Sequence, residues 1–159
     1  MIRILCSTGE SVNVPGDSLV EVDLSGRDLH RAQLGGADLR RANLTGSILR
    51  NAYLDEAILD GAVLAGAAMM VVEARRASFR MADLSSVGLN FGDVQGADFR
   101  GATLKGADVT DVNFRDCRLE GADLRCVGVE TADFLGAAWN AETQWPEGFR
   151  PPQMTRPPS

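Results

Sequence analysis

The sequence predicts an all-β solenoid in which the chain turns a corner every five residues and closes one square coil every twenty. Three observations predict it. Large apolar residues recur at every fifth position, from Leu19, Leu24 and Leu29 through Leu39 and Leu54 to Phe134 and Trp139, making twenty-five units. A small residue, most often Ala, stands two places before each of these centres. Asp or Asn often stands just before the centre, and Gly often two places after it (Gly36, Gly46, Gly66, Gly101, Gly106). Period five fits neither a helix, at 3.6, nor a strand, at 2.0. It fits a chain that bends at a corner, where Gly accepts the positive φ that other residues resist and Asp or Asn bonds its own backbone.

Taken from the N-terminus, residues 1–16 precede the regular repeat and are expected to cap it. "MIRILCS" alternates apolar and polar as a strand does, and "VPGD" turns into the first coil. The repeat occupies 17–140, with residue n beneath residue n+20. At the pairing distance of strands, its coils stack into a rod on the order of 30 Å long. The first coil departs from the pattern, since Asp17, Val22 and Arg27 stand in the small inward slot. Sheet edges at both ends of such a stack need covering. The segment 141–150 is expected to do this at the C-terminus by folding Trp145 and Phe149 against Trp139. The last residues, 151–159, are expected to be disordered.

The stretch from Gly61 to Phe79 looks like an interruption, because Ala74 stands where a large centre belongs and Arg75 and Arg76 follow. Yet Leu64 to Phe79 is three whole units, so the register is kept. Ala74 lies in a column between Leu54 and Val94. Val72, in the adjacent small slot, is stacked between Ala52 and Gly92 and can refill the volume that Ala74 vacates. Arg75 and Arg76 lie one coil after Asp55 and Glu56 and can pair with them across coils. This is a disguised repeat rather than a hinge, with Leu39, Leu54, Val72, Ala74, Phe79, Phe99 and Phe114 as core.

The "A(D/N)LXX" units at this spacing resemble the pentapeptide repeat family over about four-fifths of the chain. The resemblance implies a right-handed quadrilateral β-helix of about six coils, capped at both ends. "T-x-W-P-x-G-F" near the C-terminus is similar to the closing stretch of many such proteins. Some members of the family, including those conferring quinolone resistance, imitate DNA and occupy the DNA-binding saddle of DNA gyrase.

Composition excludes several functions. A net charge of −6 disfavours direct nucleic-acid binding, which needs a basic surface. The apolar runs are too short to span a bilayer, and the N-terminus lacks a signal-peptide layout. Cys6, Cys117 and Cys126 have no metal-type spacing and are expected to be reduced thiols of a bacterial-type cytoplasmic protein. Cys117 falls in an inward slot. Cys126 falls in a Gly-type corner, where exposure is expected. His30 beside Asp28 has no nucleophile or cleft to serve, and the Gly-rich units lack the ending of a phosphate loop. No enzyme, cofactor or metal site is expected, because a filled bore leaves no pocket.

The position before each centre faces outward, and four consecutive units carry Ile48, Tyr53, Ile58 and Val63 there. Met70, Val71 and Phe91 lie on the same side as Ile48, with Val71 directly beneath Phe91. Exposed contiguous apolar surface marks a partner site or a homodimer contact. The leading expectation is therefore a non-enzymatic scaffold acting through protein–protein interaction. The alternative, from the family resemblance, is a DNA mimic whose partner is a type II topoisomerase. Columns such as Asp23, Asn43, Asp83 and Asp123 favour the alternative. Arg40, Arg80 and Arg100 break the negative surface, and the dimerising C-terminal helix of the gyrase-targeting members has no counterpart.

Overall fold

A computed structural model of the chain describes residues 1–154. The disorder expected of 155–159 lies outside the described residues. From Asp23 onward the residue before each centre makes a parallel bridge to the residue twenty further on. One side of the square reads Asp23–Asn43–Val63–Asp83–Thr103–Asp123, and the next reads Asp28–Ile48–Ala68–Gly88–Asp108. The third reads Gln33–Tyr53–Glu73–Asp93–Asn113–Asp133, and the fourth Asp38–Ile58–Ser78–Asp98–Arg118–Ala138. Each centre donates its N–H upward (Leu24 to the Asn43 carbonyl, 2.8 Å), and each bridge residue donates downward (Asn43 to the Val22 carbonyl, 2.8 Å).

Corners form because the small residue's N–H returns to the preceding centre's carbonyl, as Ala32 does to Leu29 at 3.0 Å. The residue two after the centre then takes positive φ, as a type II turn requires. The aspartates act as the composition suggested. Oδ1 of Asp23, Asp38, Asp83, Asp98 and Asp123 each accepts the N–H of the residue two places on, at 2.9 to 3.2 Å.

The bore is filled. Every centre from Leu24 to Leu124 is at most 3% exposed, and burying a side chain of leucine size stabilises by roughly 1.5–3 kcal/mol. Phenylalanines twenty residues apart share a column and stack: Phe79 on Phe99 at 4.9 Å, Phe114 on Phe134 at 5.1 Å. Phe99 meets Phe114 edge-on and links the two stacks. Ala74 and Val72 are buried in an unbroken ladder, Tyr53–Glu73–Asp93. A Cβ added to Gly92 would lie 2.8 Å from the Leu89 carbonyl oxygen, 3.3 Å from Leu89 Cδ1 and 3.4 Å from Val72 Cγ1, so Leu89 and Val72 together occupy the space beside that glycine. Arg76 pairs with Glu56 at 2.5 Å. Arg75 meets Asp55 as expected, Nη1 to Oδ2 at 3.8 Å, but makes its shortest contact elsewhere. The Asp55 carboxylate also accepts the Arg75 backbone N–H at 2.8 Å, and the guanidinium Nε meets Asp93 Oδ2 at 2.7 Å.

At the N-terminus β1 (Ile2–Leu5) and β2 (Ser11–Val14) form an antiparallel hairpin with Ile4 opposite Val12. Ile4, Cys6 and Val14 are buried. The Leu5 carbonyl accepts from Gln33 N–H at 2.7 Å, and Cys6 bridges Ala32. The hairpin's apolar side thus meets the first coil, where Asp17 and Arg27 stay exposed instead of entering the bore.

The repeat is not uniform near its end. Asp108 bridges Val127, an offset of nineteen, and Asp123 bridges Gln144, an offset of twenty-one. The corner after Leu124 is a three-residue γ-turn, with Cys126 N–H on the Leu124 carbonyl at 2.7 Å. One residue is thereby saved, and Cys126 occupies the inward slot. Gly128 then passes so close to Thr110 that a Cβ would lie 2.4 Å from its amide nitrogen, which only glycine permits. The register is regained at Asp133, which bridges Asn113. Beyond it Trp145 packs on Phe134, Trp139 and Phe149 at 5.3, 5.5 and 5.4 Å. Residues 151–154 run back over this cluster, where the Trp139 N–H meets Met154 Sδ at 3.5 Å.

Candidate interaction surface

The four outward residues Ile48, Tyr53, Ile58 and Val63 stand on four successive sides of one coil, each 37–39% exposed. They encircle the rod, so no single flat partner touches all of them. The Tyr53 ring folds down over Gly35, where a Cβ would lie 2.3 Å from Cε1. Ile58 and Val63 lie on the remaining sides.

Ile48 belongs to a broader patch. Its side continues through Ala68 and Gly88, and Met70 lies alongside Gly88, 3.8 Å from a Cβ placed there. The adjoining corner row is Arg31, Asn51, Val71, Phe91 and Asp111, linked coil to coil by bonds such as Val71 N–H to the Asn90 carbonyl at 3.1 Å. Val71 is 46% and Phe91 56% exposed, and both have positive φ, 57° and 61°. That conformation costs L-residues roughly 1–2 kcal/mol and is disfavoured further for a β-branched side chain. These two side chains therefore bring strain to the corner while leaving half their apolar surface in water. Met81, 73% exposed and with its Sδ against Gly101, lies on a different corner and was not singled out from the sequence. Its corner slot resembles that of Val71, and this was the available signal.

The aspartates give a different picture. Arg40, Arg100 and Arg125 each fold back onto the aspartate two places earlier, at 2.6, 2.5 and 2.6 Å. The hydrogen bond from Arg125 holds the Asp123 carboxyl below its usual range. Burial pushes Asp98 upward, but the Arg100 bonds outweigh it and the net shift is downward. Asp38, Asp98 and Asp123 are thus neutralised in place. The remaining negative charge is uneven: residues 81–159 carry twelve acidic and seven basic side chains, against ten and nine in 1–80.

Asp28 Oδ1 accepts the His30 backbone N–H at 3.0 Å, and the imidazole Nε2 is buried without a partner. Cys117 is buried, its thiol donating to the Val94 carbonyl at 3.0 Å, and burial pushes its pKa up. Cys126 is buried as well, contrary to the exposure expected at a Gly-type corner, and desolvation pushes its thiol up to about 12. The γ-turn after Leu124 is the cause. Among the described residues no group of three His, Cys, Asp or Glu could hold a metal ion, and no helix is long and apolar enough to cross a membrane.

Fold and surface together define a repeat solenoid with a packed interior, whose chemistry is confined to its outer rows. The pentapeptide repeat profile matches in eight copies, over residues 18–55, 37–70, 47–90 and 93–125. The chain belongs to the pentapeptide repeat family, and its fold is the right-handed quadrilateral β-helix. It is similar to a pentapeptide repeat protein from the Arabidopsis thaliana thylakoid lumen, with 31% identity and a TM-score of 0.52 over 62% of this chain and 69% of that one. A second similar structure is HetL, involved in heterocyst differentiation regulation in the cyanobacterium Nostoc sp. strain PCC 7120. It shows 26% identity and a TM-score of 0.36 over 82% and 73%. A third is trypsin-treated QnrB1, a plasmid-mediated fluoroquinolone resistance protein, with 20% identity and a TM-score of 0.48 over 78% and 74%. No curated protein sequence matches.

Proposed function

We propose that this pentapeptide repeat protein is a non-enzymatic scaffold that binds a protein partner along the Val71–Phe91 corner, with Ile48 and Met70 beside it. One observation carries the reading: two large apolar side chains occupy exposed left-handed corner positions, where glycine or a polar residue would serve the fold better. Surface retained against local stability points to a contact made elsewhere. The test is affinity capture with the immobilised chain, compared with a Val71→Ser, Phe91→Ser double variant of unchanged circular dichroism. A partner retained by the wild type and lost by the variant supports the reading; equal retention by both refutes it.

A second reading rests on the acidic second half of the rod, where Asp108, Asp111, Asp116 and Glu130 have no cation within salt-bridge distance among the described residues. Such a surface can imitate the charge of duplex DNA, and the partner would be DNA gyrase or another type II topoisomerase. The arginine-neutralised aspartates at 38, 98 and 123 weigh against it. A gyrase supercoiling assay discriminates: neither inhibition nor protection from a quinolone at micromolar protein removes this reading.

A further inference from the structure

The same corner row has an order that fits one particular partner. From the first coil upward it reads Arg31, Asn51, Val71, Phe91, Asp111 and Thr131, with Arg50 preceding Asn51 and Glu130 preceding Thr131. Thr131 Oγ1 accepts the Asp111 N–H at 2.9 Å, which keeps this upper end in line despite the local slip. The row is therefore basic at one end, apolar in the middle and acidic at the other.

The charges at its ends are uncommitted. Eight of the twelve arginines between residues 17 and 140 pair with carboxylates of their own chain. Arg31 and Arg50 have no carboxylate within reach among the described residues, and neither the Asp111 nor the Glu130 carboxylate has a partner there. An intrachain pairing between the two ends is impossible. Even the nearest of them, Arg50 and Asp111, lie three inter-coil steps apart, about 14 Å at strand-pair spacing.

We propose that the row is the contact of an antiparallel, two-fold symmetric dimer, the partner being a second copy of this chain. A two-fold axis midway between Val71 and Phe91 is the single placement that maps this row onto itself. It brings Val71 against Phe91 of the other copy, Arg50 to the level of Asp111, and Arg31 to the level of Glu130, each twice by symmetry. The apolar centre is desolvated and the charges form its rim, the usual anatomy of a specific interface. Ala68 and Gly88, on the neighbouring side, leave the surface low enough for two rods to approach. A strip of about 24 Å along one edge lies at the small end of stable interfaces, which sets the expected affinity in the micromolar range.

This rests on reading the Val71–Phe91 corner as a contact surface, and the experiment separates the two. Sedimentation equilibrium of the full chain is run at up to about 200 μM, above the affinity expected of an interface this small. Wild type is expected to be a reversible dimer that weakens as salt rises, since its rim pairs are exposed. Arg50→Asp alone and Asp111→Arg alone should each weaken the dimer about tenfold or more by placing like charges face to face. The double variant, with both reversals in one chain, should recover most of the wild-type affinity, which a merely structural effect of either change would not do. A wild-type monomer at the highest concentration, or a dimer indifferent to both single reversals, overturns the proposal. If that monomer still captures a partner that Val71→Ser, Phe91→Ser loses, the contact surface stands and only self-association falls.

Discussion

Replacing Ser47 by Ala is expected to stabilise the rod. Ser47 occupies a small inward slot, is 1% exposed, and its Oγ is buried with no hydrogen-bond partner. Its backbone is already satisfied through the bond to the Leu44 carbonyl at 3.1 Å, which alanine keeps. An orphaned buried hydroxyl costs about 1–3 kcal/mol. The void left by removing one oxygen is smaller than a methyl group and returns up to about 1 kcal/mol of that. The net gain is about 1 kcal/mol, or roughly 2–4 °C in Tm for a chain of this size. Thr143 provides the opposing control. Its Oγ1 donates to the Leu119 carbonyl at 2.8 Å and accepts the Asn140 N–H at 3.1 Å. Thr143→Val strips both and should cost about 1–3 kcal/mol. Urea unfolding followed by far-ultraviolet circular dichroism, with slopes compared to confirm an unchanged transition, measures both. A lower midpoint for Ser47→Ala, or a higher one for Thr143→Val, would refute the argument that hydroxyl satisfaction decides these slots.

Two further outcomes follow from the packing. Val72→Ala should destabilise by about 2–3 kcal/mol, more than an average valine truncation, because Ala74 and Gly92 beside it are already short of volume. Adding Ala74→Leu to that variant should recover at least about 1 kcal/mol of the loss, and independent additive effects in the double variant would contradict the shared-space account. With an aromatic disulfide reagent at pH 8 the native chain should label at none of its three buried cysteines, since burial holds each thiol protonated. All three should react in denaturant. Rapid native labelling of Cys126 would show that its corner is open.

Much of this structure is visible in the sequence because each side of the coil is short and governed by one local rule. The period of five, the inward columns, the turn-capping aspartates and the Val72–Ala74 exchange all depend on residues at n and n+20. What escapes is information carried by alternatives of similar local cost. Cys126 and Val127 are both small enough to fill an inward slot, and the centres Leu124 and Val129 stay five apart, so the γ-turn leaves no trace in the spacing. Arg75 has three carboxylates within 4.0 Å, those of Asp55, Glu73 and Asp93, and the spacing of twenty points only to the first. The contact surface was half visible. Val71 beneath Phe91 follows from the period, but the free charges at either end emerge only when most of the other arginines are seen to be occupied.

The slip between Leu124 and Asp133 has a consequence for how such chains change length. It resembles a bound pair of opposite dislocations in a crystal: one side is a residue short, the following stretch a residue long, and the offset of twenty returns at Asp133 and Ala138. A lone deletion would rotate every later side chain out of its column, whereas a deletion compensated within one turn leaves the rest of the stack unaware of it. Rods of this kind can therefore accept length changes in balanced local pairs, or in whole coils of twenty, and the corner after Leu124 has the geometry of the first kind.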